Sequence, residues 1–118
     1  HVVLSDRTRG IIGAQDLAKM KPGAILINTS RGPLVDEAAL IDRLRSGKLI
    51  AGLDVYAEEP LPANHPLRSM PNTMLTPHLG YGSSEVYGQF YRESIDNVLA
   101  FQQGKPTHVL NPEALRAA

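Results

Sequence analysis

The stretch Pro22-Gly-Ala-Ile-Leu-Ile-Asn-Thr-Ser-Arg-Gly-Pro33 decides the fold. Pro22-Gly23 is a strong turn signal, and Ala24 to Asn28 is apolar without alternation. Such a run is expected for a strand in a parallel sheet covered on both faces. Thr29 to Pro33 then reads as a loop by composition. Working outward, Leu49–Val55 and Thr73–Thr76 are two further short apolar runs, and Val2–Leu4 is a first, partial strand. Amphipathic stretches alternate with these runs, which argues for βαβ units and an α/β fold with a mostly parallel sheet.

The stretches between the strands carry helix signals. Ala14–Met20 suits a short helix. Asp36 is a good N-cap for a helix over about Glu37 to Ser46, Gly47 is a good stop, and Ala38, Leu40, Ile41 and Leu44 form its apolar stripe. Three prolines, Pro60, Pro62 and Pro66, exclude regular structure from the loop after Val55. A long helix is expected from Ser83 or Ser84 to about Gln103, with Val86, Phe90, Ile95, Val98 and Leu99 on one side and Gly104 ending it. At about 30 Å it is long beside so small a sheet and is expected to pack against something else as well.

If the three strands are parallel neighbours, Arg31, Glu59 and His78 emerge at one edge of the sheet. In an open α/β sheet the carboxyl edge is where ligands bind. A guanidinium there matches a carboxylate bidentately, against the plain alternative of a surface arginine in a turn. Its small neighbours Thr29, Ser30 and Gly32 would let a ligand approach the backbone. His78, between Pro77 and Leu79-Gly80, is suited to proton transfer near neutral pH, or is a structural histidine at a strand end. The glycine would admit close passage of a ligand or a strained bend. A carboxylate beside the imidazole favours its charged form and orients the ring, but spacing does not choose between Glu58 and Glu59. Asp54 is an acid inside an apolar run, expensive to bury without a partner, and placed to accept a hydrogen bond from a ligand amide.

Composition narrows the classes. The chain of 118 residues is at most one domain, and its 12 basic and 12 acidic residues balance. No net field therefore recruits nucleic acid or an anionic membrane. No Cys is present, which fits the cytosol, and no apolar run approaches the roughly 20 residues that cross a bilayer. His65 reads as a loop residue. A zinc site built from His65, His78 and the glutamates lacks ligand spacing, so no metal is expected. The chain opens His1-Val-Val-Leu-Ser5, like one entered midway.

Three motifs, in order and with the right gaps, resemble the D-isomer-specific 2-hydroxyacid dehydrogenases: Met20 to Leu40, Gly52 to Pro62, and Pro71 to Gly80. The resemblance covers nearly the whole chain, to about Leu110. It implies a parallel-sheet Rossmann-type domain of which residues 1–82 are the second half, with 83–118 a long helix and tail returning to a substrate domain. It implies that Arg31 binds the carboxylate and keto oxygen, that Glu59 rather than Glu58 pairs with the histidine, and that His78 is the general acid/base. Asp54 would contact the nicotinamide carboxamide, and Thr29, Ser30, Arg31, His78 and Gly80 would line the same end of NAD or NADP. Formate-oxidising relatives usually carry Gln at this Glu, so Glu59 argues against that branch. A 2-keto or 2-hydroxy acid is the implied substrate, a homodimer the implied assembly and the cytoplasm the implied location.

Two departures stand beside the resemblance. No Gly-x-Gly-x-x-Gly turn or ribose reader is present, so the chain reads as a fragment inactive alone. Tyr81-Gly-Ser-Ser84 also differs from the Ala-Ser/Thr-rich start usual for the last helix. Two rival classes remain to weigh. A non-catalytic dinucleotide-sensing corepressor can keep the triad. A phosphoacceptor receiver domain would use Asp54 and Lys105-Pro106 but needs an acidic pair near the first strand, where Asp6 stands alone.

Overall fold

A computed structural model describes residues 1–113. Its first compact unit, His1–Gly80, is an α/β layer. The turn at Gly23, whose N–H donates to the Lys48 carbonyl at 3.0 Å, launches β1 (Ala24–Asn28). β2 (Leu49–Leu53) and β3 (Thr73–Leu75) follow, all parallel in the order β1-β2-β3. The register aligns Asn28 with Leu53 and Leu53 with Leu75. The three carboxyl ends are therefore level, and the chain leaves each of them into a loop at the same edge. β2 is shorter than the expected Leu49–Val55. Past Leu53 the ladder gives way to single bonds, Asp54 N–H to the Asn28 carbonyl at 3.0 Å and Thr76 N–H to the Leu53 carbonyl at 2.9 Å.

α1 (Ala14–Lys19) and α2 (Glu37–Arg45) lie against the sheet's buried face. The Asp36 carboxylate accepts the Ala39 N–H at 3.1 Å, capping α2 as the sequence suggests. Gly47 takes the left-handed conformation that ends it (φ 69°). Leu40 and Leu44 carry the helix's buried stripe, with Ile41 half-buried and Ala38 exposed. The Arg43 guanidinium donates to the Met20 and Ala18 carbonyls and so caps the end of α1. Leu17, Leu40, Leu44, Leu49, Ala51, Leu53 and Leu67 are the heart of the core.

Two expectations are corrected here. The apolar β1 is not covered on both faces within this unit, because Ile25, Ile27, Ile50 and Met74 are all exposed. The strand order explains this. Two successive right-handed crossovers stepping in the same direction place their connections on one side of a sheet. Val2–Leu4 forms no strand either. No described strand pairs with it, and Val3 instead offers its carbonyl to the Thr8 hydroxyl at 2.7 Å.

The core makes a stability prediction. Leu49 is fully buried. Leu49→Ala is expected to lower the unfolding free energy by about 2–5 kcal/mol, measured by urea denaturation of the full-length gene product.

The second unit begins at Tyr81. α3 (Ser84–Gln102) is capped by the Ser83 hydroxyl, which accepts the Val86 N–H at 3.3 Å. Gly104 takes a left-handed φ of 69° after its end. Thr107 returns to α3 by donating to Asn97 at 2.9 Å. Phe90, Ile95, Val98 and Leu99 are exposed along α3. No described helix is long and apolar enough to cross a membrane.

Candidate active site

Each carboxyl end delivers one of the expected side chains. After β1, Asn28 stays buried and shapes the exit. Its amide donates to the Arg31 carbonyl at 3.0 Å and its oxygen accepts the Ser30 N–H at 3.1 Å. This is the side-chain turn that asparagine favours, and it presents Arg31 outward. The Arg31 Nη1 donates to the Ser30 carbonyl at 2.7 Å, and the rest of the guanidinium has no partner among the described residues. Gly32 is buried. A Cβ there would collide with the Tyr56 carbonyl, so its smallness serves chain-on-chain packing.

After β2, Tyr56 and Glu59 form a compact turn. Glu59 Oε1 accepts the Tyr56 N–H at 2.9 Å. The buried Tyr56 hydroxyl lies 2.8 Å from the Thr76 carbonyl and 3.0 Å from that of Leu53, tying β2 to β3 at their ends. Burial, aided by the nearby Asp54 charge, pushes the Tyr56 phenol up. Glu59 Oε2 lies 2.7 Å from His78 Nδ1, while Glu58 points to solvent without a partner among the described residues. The choice that spacing left open is thus made by contact.

After β3, Pro77 leads into His78, whose backbone is left-handed (φ 58°). Such a conformation is strained for a residue other than glycine. The strained bend, one of the two readings open for Gly80, falls on the histidine itself. A Cβ at Gly80 would stand 2.9 Å from Asp54 Oδ2, so this glycine is needed for a close approach to Asp54.

Asp54 is buried and fully engaged on one oxygen. Oδ1 accepts the Thr76 hydroxyl at 2.6 Å and the Leu79 N–H at 2.8 Å, and Oδ2 accepts the Gly80 N–H at 2.8 Å. Burial alone would raise its pKa. The three donors outweigh it and hold the carboxyl below its ordinary 3.8. Glu59 is held below its ordinary 4.5, first by the hydrogen bond from His78 and then, against partial burial, by the Tyr56 N–H and the charges of His78 and Arg31. An ionised Glu59 only accepts, so Nδ1 of His78 carries the proton of the short bond. Nε2 has no partner among the described residues.

These shifts have a sign. A carboxyl whose folded pKa is depressed stabilises the fold fully above its ordinary value and loses that contribution as pH falls through the folded value. The unfolding free energy is expected to decline below about pH 5, and Glu59→Gln is expected to flatten that slope. Urea titrations of both proteins between about pH 3 and pH 6 check it.

Sequence reading missed Asn28, Tyr56, Thr76 and a second pair, Glu37 with His65. His65 Nε2 lies 3.2 Å from Glu37 Oε1, and Glu37 Oε2 accepts the Ala57 N–H at 3.3 Å, fastening the proline-rich loop to α2. A cavity of about 560 Å³ opens beside the His78–Glu59 pair, bounded by Tyr56, Leu61, Arg68 and Leu75. Arg31 is not among its lining residues.

A level parallel-sheet edge bearing an exposed guanidinium, a histidine hydrogen-bonded to a carboxylate and a buried strand-end aspartate is where an open α/β sheet binds ligands. The chain belongs to the D-isomer specific 2-hydroxyacid dehydrogenases, whose NAD binding domain matches residues 1–80. It is 44% identical over 115 residues to glyoxylate/hydroxypyruvate reductase B of Enterobacter agglomerans, covering 96% of this chain and 36% of that protein. Among solved structures, D-lactate dehydrogenase with NAD⁺ from Lactobacillus jensenii superposes with a TM-score of 0.77 at 36% identity, over 92% of this chain and 37% of that one. A D-isomer specific 2-hydroxyacid dehydrogenase from Xanthobacter autotrophicus Py2 in complex with NADPH and MES gives 0.68 at 42% identity, over 93% and 44%. The chain thus spans about a third of the length of the curated relatives it matches.

Proposed function

We propose that this chain supplies the catalytic edge of an NAD(P)-dependent oxidoreductase that interconverts 2-keto acids and D-2-hydroxy acids. The observation that carries the reading is the 2.7 Å bond between His78 and Glu59 at the edge where Arg31 emerges. Arg31 binds the substrate carboxylate through the donors that Ser30 leaves free. His78 gives the keto oxygen a proton from Nε2, and Glu59 holds the ring by Nδ1 and stabilises its charged form before transfer. In the oxidative direction His78 takes that proton back from the hydroxyl.

The cofactor supplies the hydride to C2 when bound. The donor set fits such a group. Asp54 Oδ2 accepts a single bond, from Gly80, and so retains a lone pair for a carboxamide N–H. Thr29, Ser30 and Gly80 border the same edge. The 118 residues hold no Gly-x-Gly-x-x-Gly turn, and they span about a third of the length of the curated relatives. The homodimer and cytoplasmic location implied by the resemblance belong to the same proposal.

The test is oxidation of NADH and of NADPH by the full-length gene product across 2-keto acids, beginning with glyoxylate and hydroxypyruvate. Turnover is expected with 2-keto acids and not with ketones that lack the carboxylate. Cofactor binding with no turnover on any acid would replace this reading with a dinucleotide-sensing one.

A further inference from the structure

We propose that Asp54 is a positioning residue for proton transfer, holding His78 in its left-handed backbone conformation by gripping the turn that follows it. The inference rests on the assignment of His78 as the general acid/base and adds a role that cofactor contact alone does not give Asp54.

The geometry has three parts. His78 occupies φ 58°, a region that disfavours a residue with a Cβ, so something outside the residue must hold it there. The two peptide N–H groups immediately after it, those of Leu79 and Gly80, both point at the Asp54 carboxylate at 2.8 Å, one to each oxygen. The Thr76 hydroxyl, two residues before it, closes on Oδ1 at 2.6 Å. One buried carboxylate thus clasps the chain on both sides of the histidine. Asp54 itself is fixed, since its N–H donates to the Asn28 carbonyl at the end of β1. The two acids therefore act on different parts of the histidine. Glu59 aims the ring through Nδ1, and Asp54 sets the backbone from which the ring projects. Gly80 fits this arrangement, because a Cβ at that position would stand 2.9 Å from Oδ2.

An amide cannot reproduce the clasp. Three donors converge on Asp54, and an asparagine must turn its own NH₂ toward at least one of them. Asp54→Asn should release the Leu79 or Gly80 N–H, relax His78 and displace its imidazole. Displacing a reacting group by about 1 Å costs on the order of 100-fold in rate. Thr76→Val removes one donor, keeps the side-chain shape and leaves Oδ2 and its cofactor-facing lone pair in place.

The experiment is steady-state reduction of the best 2-keto acid by the full-length gene product and both variants, at saturating cofactor, in H₂O and D₂O. Cofactor dissociation constants and a crystal structure of Asp54→Asn accompany it. Positioning predicts a kcat lowered on the order of 100-fold in Asp54→Asn and by a smaller factor in Thr76→Val. It also predicts a larger solvent isotope effect on kcat in both and a changed φ at His78. An unchanged kcat at saturating cofactor, with only the cofactor constant weakened, would overturn it in favour of a pure cofactor contact. A lower melting temperature with kcat and isotope effect unchanged would overturn it in favour of a purely structural role. If the wild-type protein turns over no acid, the functional reading fails separately. The φ of His78 in Asp54→Asn then decides the clasp alone, a retained left-handed value refuting it.

Discussion

Replacing His78 by Gln is expected to lower kcat of the full-length gene product by about 10²- to 10⁴-fold, the range that a positioned general acid contributes. The effect should fall on kcat and leave the cofactor dissociation constant within a small factor of wild type. Among the described residues the His78 ring is held through Nδ1, and Nε2 has no partner. Glutamine is close in length and retains an amide that Glu59 can accept, so the local fold is preserved while the proton is lost. A loss of cofactor binding equal to the loss of rate would mean that His78 contributes to binding and not to proton transfer. Steady-state rates together with fluorescence titration of NADH separate the two.

The second large effect is expected at Arg31. Its value lies in a planar fork that meets both oxygens of a carboxylate, and Lys offers only a point charge. A hydrogen bond to a charged group contributes about 1.5–3 kcal/mol, so Arg31→Lys should lower kcat/KM by about 10- to 100-fold. Arg31→Met, which removes the charge as well, should lower it further. Since the Asn28 side chain holds the turn through the Ser30 N–H and the Arg31 backbone carbonyl, neither variant should unfold the edge. The KM of the keto acid should rise while that of the cofactor does not. Equal kcat/KM for wild type and Arg31→Met would remove Arg31 from the substrate site.

Much of this edge was legible in the residues alone. Apolar runs of four to seven residues separated by turn and cap signals located all three strands, and the Asp36 cap and Gly47 stop bounded α2 closely. The juxtaposition of Arg31, Glu59 and His78 followed once the strands were taken as parallel neighbours. Other features were hidden for physical reasons. Glu58 and Glu59 lie in one proline-rich loop, where no periodicity says which side chain turns inward. Tyr56 and Thr76 meet across 20 residues of sequence, and Asp54 meets Gly80 across 26. Spacing carries no signal for contacts of that kind. Gly32 reads in sequence as room for a ligand and Gly80 as room for a ligand or a strained bend, whereas the chain neighbours they admit, Tyr56 and Asp54, leave no local sign. An apolar strand predicts cover on both faces but does not say which element supplies it. Ile25 and Ile27 therefore remain exposed in a unit whose helices share one side. Asn28 alone left a readable sign, a polar residue ending an apolar strand just before a Thr-Ser-Arg-Gly turn.

The most direct measurement is a crystal structure of the full-length gene product with NAD⁺ and oxamate, an unreactive mimic of a 2-keto acid. The expected result places the oxamate carboxylate on the Arg31 guanidinium and its amide-carbonyl oxygen about 2.6–3.2 Å from His78 Nε2, with Glu59 still on Nδ1. Oxamate bound beside the nicotinamide but touching neither Arg31 nor His78 would contradict the assignment of this edge as the site of proton transfer.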